Sequence, residues 1–218
     1  MKNILFTLLF TVCLLNGITK EQNFTISRVH YDGGGDWYCD PSSLSNLLSY
    51  FNSSTDIPTQ EKELICKIGD ELFFKSTYLY LTGHGNIKLS NKETNFLREH
   101  LMNGAFMHVD DNYGLDKPFR REIKKVFPDK KLVELPQSHE IFNIYYNFEN
   151  GLPKIHAHDG KRPQAFGIFH EKRLILLYTY ESDLGDGWEN PEVHNLSEEK
   201  RNEALKMGVN IILFNLLQ

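Results

Sequence analysis

Acidic and histidine side chains recur in loops that directly follow apolar segments of this chain. The stretch HVDDNYG places Asp110 and Asp111 immediately after the apolar run AFMHV, and TGHGN holds His84 between two glycines. A histidine near two carboxylates can bind a divalent cation or relay a proton. We therefore take Asp110, Asp111 and His84 as candidate catalytic residues. The alternative is structural: the aspartates hydrogen-bond turn backbone and the histidine faces solvent.

A second histidine pair lies later in the chain. In KIHAHDG, His156 and His158 alternate along an extended segment, so both side chains can reach one metal ion. With His84 and Asp110 they form the candidate set for a divalent metal, the one cofactor that the sequence suggests. Surface or structural histidines are the competing interpretation.

Three loops combine glycines, acids and aromatics in the stretches DGGGDW, DNYG and ESDLGDGWENPEVH. Glycine lets the backbone approach a ligand closely, and aromatic faces beside carboxylates are typical of carbohydrate clefts. The last of these loops could close over the site as a lid, and the alternative is a solvent-exposed loop without a role in the site. The predicted ligand-binding residues are Asp32, Gly33, Gly34, Gly35, Asp36, Trp37, Gly83, Gly85, Tyr113, Glu181, Asp183, Asp186 and Trp188.

The nucleophiles of acyl transfer are not indicated. No serine stands in a G-x-S-x-G turn. Cys39 precedes an expected helix start, where a thiolate would be favoured, and a disulfide or a structural cysteine is the competing interpretation. Spacing leaves the pairing of Cys39 with Cys66 open.

The elements that must position these residues alternate between strand and helix. Strand patterns occupy residues 24–31, 77–82, 105–109 and 131–135, and helix patterns follow the first three. We expect Asp40 to cap the first of these helices and Asp116 the third, and the second, which is the clearest, begins with a Ser90–Glu93 capping box. This order predicts parallel strands covered by helices on both faces. A hairpin turning at 171–173 and a terminal helix from Glu198 complete the chain. Because ligands bind at the carboxyl ends of parallel strands, the loops named above should share one sheet edge.

The whole chain restricts its partners. Its 218 residues carry a formal net charge of −5, and the basic residues form no run interleaved with aromatics. Nucleic acid and anionic membrane surfaces are therefore not expected partners, whereas a small polar ligand or a protein partner fits.

The N-terminus predicts export. An apolar segment from Ile4 to Leu15 follows one lysine, and small and polar residues come next. This pattern is typical of a signal peptide at residues 1–19, cleaved near Gly17 to Thr19. The segment is shorter than the roughly 20 residues that span a bilayer, although an uncleaved anchor is the alternative. We expect a periplasmic or secreted protein with one domain over residues 20–218 and no membrane span after cleavage.

Several motifs resemble a bacterial family of uncharacterised domains: YDGGGDWY, TGHG, DDNYGLD, GLPKIHAHDG and ESDLGDGWE. That family in turn resembles the class I glutamine amidotransferase-like superfamily, including trehalose-utilisation-like proteins. The resemblance implies an α/β flavodoxin-like three-layer sandwich with a mostly parallel central sheet and an antiparallel hairpin addition. Amidotransferases place a cysteine after the strand corresponding to AFMHV, where this chain has Asp110 and Asp111, so their nucleophile is missing.

Three functions fit these observations, and the sequence leaves open whether the protein is an enzyme. The first is a ligand-binding module with a polar cleft at the strand ends. The second is a hydrolase or isomerase of carbohydrate or cell-wall material that uses Asp and His, with or without a divalent metal. The third is a protein-interaction module whose site is vestigial.

Overall fold

The computed structural model describes residues 23–218, and the expected leader at 1–19 lies outside these residues. The strands are β1 (Ser27–His30), β2 (Leu64–Lys67), β3 (Tyr78–Leu81), β4 (Phe106–Asp110), β5 (Val133–Glu134), β6 (Gln164–His170) and β7 (Arg173–Tyr180). The helices are α1 (Ser43–Thr55), α2 (Glu71–Lys75), α3 (Asn91–Met102), α4 (Asp116–Val126), α5 (Leu184–Trp188), α6 (Pro191–His194) and α7 (Glu198–Leu217), with a 3-10 turn at Glu140–Phe142.

The strands form one sheet in the order β2-β1-β3-β4-β7-β6-β5. The first five strands of that order are parallel, whereas β6 is antiparallel to β7 and β5 is antiparallel to β6. The expected fold class, a flavodoxin-like α/β sandwich with an antiparallel addition, is therefore confirmed.

Side-chain alternation along the strands produces two cores. In β3, Tyr78 and Tyr80 pack on one face with α1 and α7, while Leu79 and Leu81 pack on the other with α3 and α4. Successive residues of a strand point to opposite faces, so a fully apolar strand requires helices on both sides. Phe106 lies in the α1 and α7 core, and Asp110, four residues further along β4, therefore points to that face.

The structure corrects several local predictions. The segment 131–135 gives only two strand residues, and they lie at the antiparallel edge because the β6–β7 hairpin takes the place beside β4. The edge strand β2 and helix α2 were not predicted, since neither has a strong apolar period. Asp116 was expected to cap a helix; it is instead the first residue of α4, where a carboxylate still interacts favourably with the helix dipole.

Other predictions hold. Ser90 and Glu93 form the capping box of α3, and the hairpin turns at Glu171 and Lys172. The terminal helix begins at Glu198, after the Ser197 cap. Between residues 23 and 218, no helix is both long enough and apolar enough to cross a bilayer.

Candidate functional site

The glycine-rich loops after β1 and β3 pack against each other. Gly35 N donates to Asn86 O at 2.9 Å. A Cβ added to Gly33 would lie 2.6 Å from Lys88 N, and one added to Gly35 would lie 2.7 Å from His84 O. This close backbone approach between two loops explains the glycines, which we had predicted to approach a ligand.

His84 is paired within these loops. Its Nδ1 lies 3.1 Å from Asp36 Oδ2, and its backbone N–H donates to Asp36 Oδ1. Trp37, in the same loop, stacks on His30 with ring centroids 4.1 Å apart. The predicted cluster of His84 with Asp110 and Asp111 is therefore divided: His84 contacts Asp36 at the rim, and the aspartates lie elsewhere.

Asp110 lies beneath the surface at the end of β4. It is fully buried, its Oδ2 accepts from Gly185 N at 2.7 Å, and its Oδ1 accepts from the Thr179 hydroxyl at 2.5 Å. Burial, followed by the charge of Asp183, raises the pKa of Asp110 to about 7 despite these hydrogen bonds. Asp110 therefore holds helix α5 in place through the backbone N–H of Gly185.

Asp111 is also buried and points to the opposite side of the strand. Its Oδ2 accepts a long hydrogen bond from Glu181 N at 3.4 Å, while its Oδ1 has no hydrogen-bond partner among residues 23–218. Burial raises its pKa to about 7, and the charge of His158 opposes that rise. The carboxyl is thus desolvated, incompletely satisfied and close enough to His158 to be affected by its charge.

The strongest constellation combines the KIHAHDG histidines with the loop after β7. His158 Nε2 lies 2.7 Å from Asp183 Oδ2, and His156 Nδ1 lies 3.6 Å from the same oxygen. One ligand atom of each residue lies within 4.8 Å of the others. Asp183 has only 3% of its side chain exposed, and its Oδ1 has no hydrogen-bond partner in the described chain.

Backbone contacts between two distant segments hold this constellation together. Ile155 N donates to Ser182 O at 2.9 Å, and the Ser182 hydroxyl donates to Pro153 O at 2.6 Å. Lys154 Nζ donates to Glu181 Oε2 at 2.6 Å. Each contact joins the 153–155 segment to the end of β7, so the two histidines are fixed against Asp183.

A second group of acidic and histidine side chains lies beside the one formed by His156, His158 and Asp183. Asp186 Oδ2 lies 2.6 Å from His156 Nδ1, and Asp186 Oδ1 lies 3.2 Å from His194 Nε2. Ligand atoms of Asp40, Asp186 and His194 also lie within 4.8 Å of one another. Arg28, itself buried, fixes the Asp40 segment by donating to Cys39 O at 2.8 Å and Asp40 O at 3.1 Å.

Charge interactions follow from this crowding. The neighbouring Asp183 carboxylate raises the pKa of His156, and for His158 the same carboxylate outweighs burial and raises the pKa as well. Burial, together with Asp183 and Asp40, raises the pKa of Asp186. For Asp183 the two histidines outweigh burial, and its pKa falls. Without a metal, the histidines therefore serve as partners of a buried carboxylate.

These side chains line one open cavity of about 360 Å³ at the carboxyl edge of the sheet. The cavity is lined by Asp40, His84, Tyr113, His156, Ala157, His158, Asp183, Asp186 and His194. A family model for a domain of unknown function (DUF4159) matches residues 25–216, which include the whole cavity. The chain belongs to the DUF4159 family. No curated protein matches it.

The predicted site residues of this DUF4159 domain divide into three groups. Six line the cavity: His84, Tyr113, His156, His158, Asp183 and Asp186. Eleven others are not among the residues that line it: Asp32, Gly33, Gly34, Gly35, Asp36, Trp37, Gly83, Gly85, Asp110, Asp111 and Glu181. Trp188 is fully buried and donates its indole N–H to Ala204 O at 2.8 Å, so it packs against α7 and has no exposed face for a ligand.

Asp40 and His194 line the cavity but were not among the predicted site residues. Asp40 was interpreted as a helix cap, but α1 begins only at Ser43. His194 ends the short helix α6 in the same acidic loop as Asp183. The available signal was the density of His and Asp in that loop.

Cys39 and Cys66 are both free thiols, and no disulfide joins them within residues 23–218. Cys39 Sγ donates to Asp40 Oδ2 at 3.4 Å, and burial together with the charge of Asp40 raises the pKa of the thiol. This shift is opposite to the one that a reactive thiolate needs.

Proposed function

We propose that this protein is an exported ligand-binding protein whose cleft holds a divalent transition-metal ion on His156, His158 and Asp183. One observation carries the proposal. Ligand atoms of the three residues converge within 4.8 Å, and Asp183, almost fully buried, has an oxygen with no hydrogen-bond partner among residues 23–218.

The electrostatics of the cleft support a cation. A buried carboxylate is costly unless it is paired or coordinated. Burial raises the pKa of Asp40, Asp110, Asp111 and Asp186, the direction expected when carboxylates lack sufficient positive charge nearby. A divalent ion beside Asp183 would supply that charge.

The donor set indicates the type of metal. Two imidazole nitrogens and a carboxylate suit Zn²⁺, Mn²⁺ or Fe²⁺, whereas Ca²⁺ and Mg²⁺ prefer oxygen ligands alone. Three protein ligands leave a position facing the cavity, where a small polar ligand can bind. Tyr113, which is exposed at the cavity with its hydroxyl 3.0 Å from Asp159 Oδ1, offers an aromatic face of the kind that stacks on sugars.

The test is metal analysis of the purified mature protein, with thermal melts before and after chelation. We expect a bound ion that raises the melting temperature and is lost in His158→Ala. The matched control is His84→Ala, which removes another histidine of the same cavity from outside this constellation. Loss of the ion in the control and retention in His158→Ala would contradict the proposal.

The raised pKa of Asp111 supports a second candidate function, that of a metal-assisted hydrolase or isomerase acting on carbohydrate or cell-wall material. A general base works best when its pKa lies near the working pH, and burial raises the pKa of Asp111 to about 7. A bound metal would supply Lewis acidity to the same cleft.

The test of this candidate is a screen of glycoside and cell-wall substrates with wild type and Asp111→Asn. We expect turnover to fall by about 100-fold or more in the variant while the metal content stays unchanged. Equal turnover in the two proteins would remove Asp111 from the mechanism.

Two parts of the proposal rest on sequence. Export is supported by the pattern at residues 1–19. Membership of the amidotransferase-like superfamily is supported by the quoted motifs and by the position of the cleft at the strand ends.

A further inference from the structure

We infer that the cleft has a second metal position, formed by Asp40, Asp186 and His194, so that it carries a pair of divalent ions able to bind an oxyanion. The inference rests on the proposed function, because the second position adjoins the first and shares its cavity.

The second set of ligands is assembled from three separate segments. Asp40 comes from the loop before α1, Asp186 from α5 and His194 from the end of α6, and their ligand atoms lie within 4.8 Å of one another. His194 Nε2 is buried and makes no acceptable hydrogen bond with any described residue, although it lies 3.2 Å from Asp186 Oδ1. A nitrogen held so close to a carboxylate without a proper hydrogen bond is placed as a metal ligand would be.

Asp186 links the two positions. Its Oδ2 lies 2.6 Å from His156 Nδ1, a ligand of the first position, and its Oδ1 lies 3.2 Å from His194 Nε2, a ligand of the second. Each oxygen of this carboxylate therefore faces a different group. A carboxylate arranged in this way can bridge two ions, which lie about 3.5–4 Å apart in two-metal sites.

Asp183 provides an independent observation. Its side chain is 3% exposed, and both histidines of the first position approach Oδ2, which leaves Oδ1 buried without a hydrogen-bond partner among residues 23–218. Asp40 and Asp186, whose ligand atoms lie within 4.8 Å of each other, line the same cavity as Asp183. Three carboxylates thus share one wall of the cavity, and a single ion bound at His158 would leave the His194 side without a cation.

The charge of the loaded site indicates the class of ligand. Two divalent ions would exceed the formal charge of the three carboxylates by one, with the histidines neutral. The pair would therefore attract an anion. A tetrahedral or planar oxyanion can contact both ions at once, so we assign phosphate or carboxylate groups as the ligand class.

Metal stoichiometry and electron paramagnetic resonance with Mn²⁺ test the second position. We expect wild type to bind two ions per chain, and the second equivalent should replace the signal of an isolated ion by that of a coupled pair. His194→Ala and Asp40→Asn should each bind one ion and show only the isolated signal. His158→Ala should lose at least tenfold in affinity for the first ion.

The outcomes separate the two proposals. One ion in wild type, or two ions in both second-position variants, overturns this inference and leaves the first metal position standing. No ion in wild type overturns both. The titration of wild type decides the question even where a variant fails to fold. If a second equivalent of Mn²⁺ leaves the paramagnetic resonance signal of an isolated ion unchanged, the inference of a paired second position is contradicted.

Inorganic phosphate tests the ligand class. It should raise the melting temperature of wild type loaded with two equivalents of Mn²⁺, and should leave His194→Ala with one equivalent unchanged. No shift in doubly loaded wild type, or an equal shift without Mn²⁺, overturns the assignment of an oxyanion to the ion pair.

Discussion

Three residues that line the cavity, together with Glu181 close by in the chain, hold a backbone conformation that side chains disfavour. The φ angles of Asp40, His158, Glu181 and Asp183 are +53°, +42°, +56° and +62°. A left-handed residue other than glycine costs about 1–2 kcal/mol. Such strain persists only where the surroundings enforce it, and it concentrates at functional sites. Here it coincides with ligands of both proposed metal positions.

His108, behind the cleft, predicts a defined response to acid. It is fully buried, and because the Thr179 hydroxyl donates to Asp110, the Thr179 oxygen accepts from His108 Nε2 at 3.0 Å. Burial lowers the pKa of His108 from 6.5 to about 3. The unfolded chain therefore binds more protons between these pH values, and stability falls as the pH falls below 6.5.

We expect this histidine to account for about 3 kcal/mol of the free energy of unfolding lost between pH 7 and pH 4. His108→Gln should remove that part of the pH dependence, whatever it costs at pH 7. Urea unfolding of chelated protein across this range measures it. His170→Gln, at a partly exposed position on the hairpin, is the control and should follow wild type. Parallel pH profiles for His108→Gln and wild type would contradict the assignment.

Among the strands and their connections, the β6–β7 hairpin is closed by a turn with unfavourable backbone angles. Glu171 and Lys172 have φ angles of +49° and +71°. Two-residue turns with both φ angles positive favour Asn-Gly, because these residues adopt the left-handed region at low cost. The hairpin nevertheless forms, since β6 and β7 pair from Gln164–Tyr180 to His170–Arg173.

Glu171→Asn combined with Lys172→Gly should therefore stabilise the protein by about 1–2 kcal/mol. Thermal or urea unfolding measures the gain, and the metal content should not change because the turn lies at the opposite sheet edge from the cleft. The matched control is the double alanine variant, which removes the same side chains but does not relieve the strain of the positive φ angles. An equal gain in the control would assign the effect to the side chains.

The features of this protein that depend on local sequence pattern were predicted correctly. The Ser90–Glu93 cap, the alternation in β3 and the terminal helix follow from residues near one another in the chain. The sheet edge at which the loops meet was also predictable, because the carboxyl ends of parallel strands lie on the same edge of a sheet. Which side chains contact each other at that edge could not be predicted. His84 was placed with Asp110 but contacts Asp36, and His158 meets Asp183 across 25 residues of chain.

The same long-range pairing predicts how metal binding should affect motion. The ligands of the first proposed metal position lie in two segments, 153–159 and 181–194, joined by the hydrogen bonds of Ile155 and Ser182. An ion would add direct links between these segments, so it should slow their local opening more than that of the rest of the chain. Hydrogen exchange with and without Zn²⁺ should show protection in both segments and little change at the hairpin turn near Glu171. In His158→Ala the protection of segment 153–159 should be lost. Uniform protection across the chain would instead indicate global stabilisation by an ion bound elsewhere.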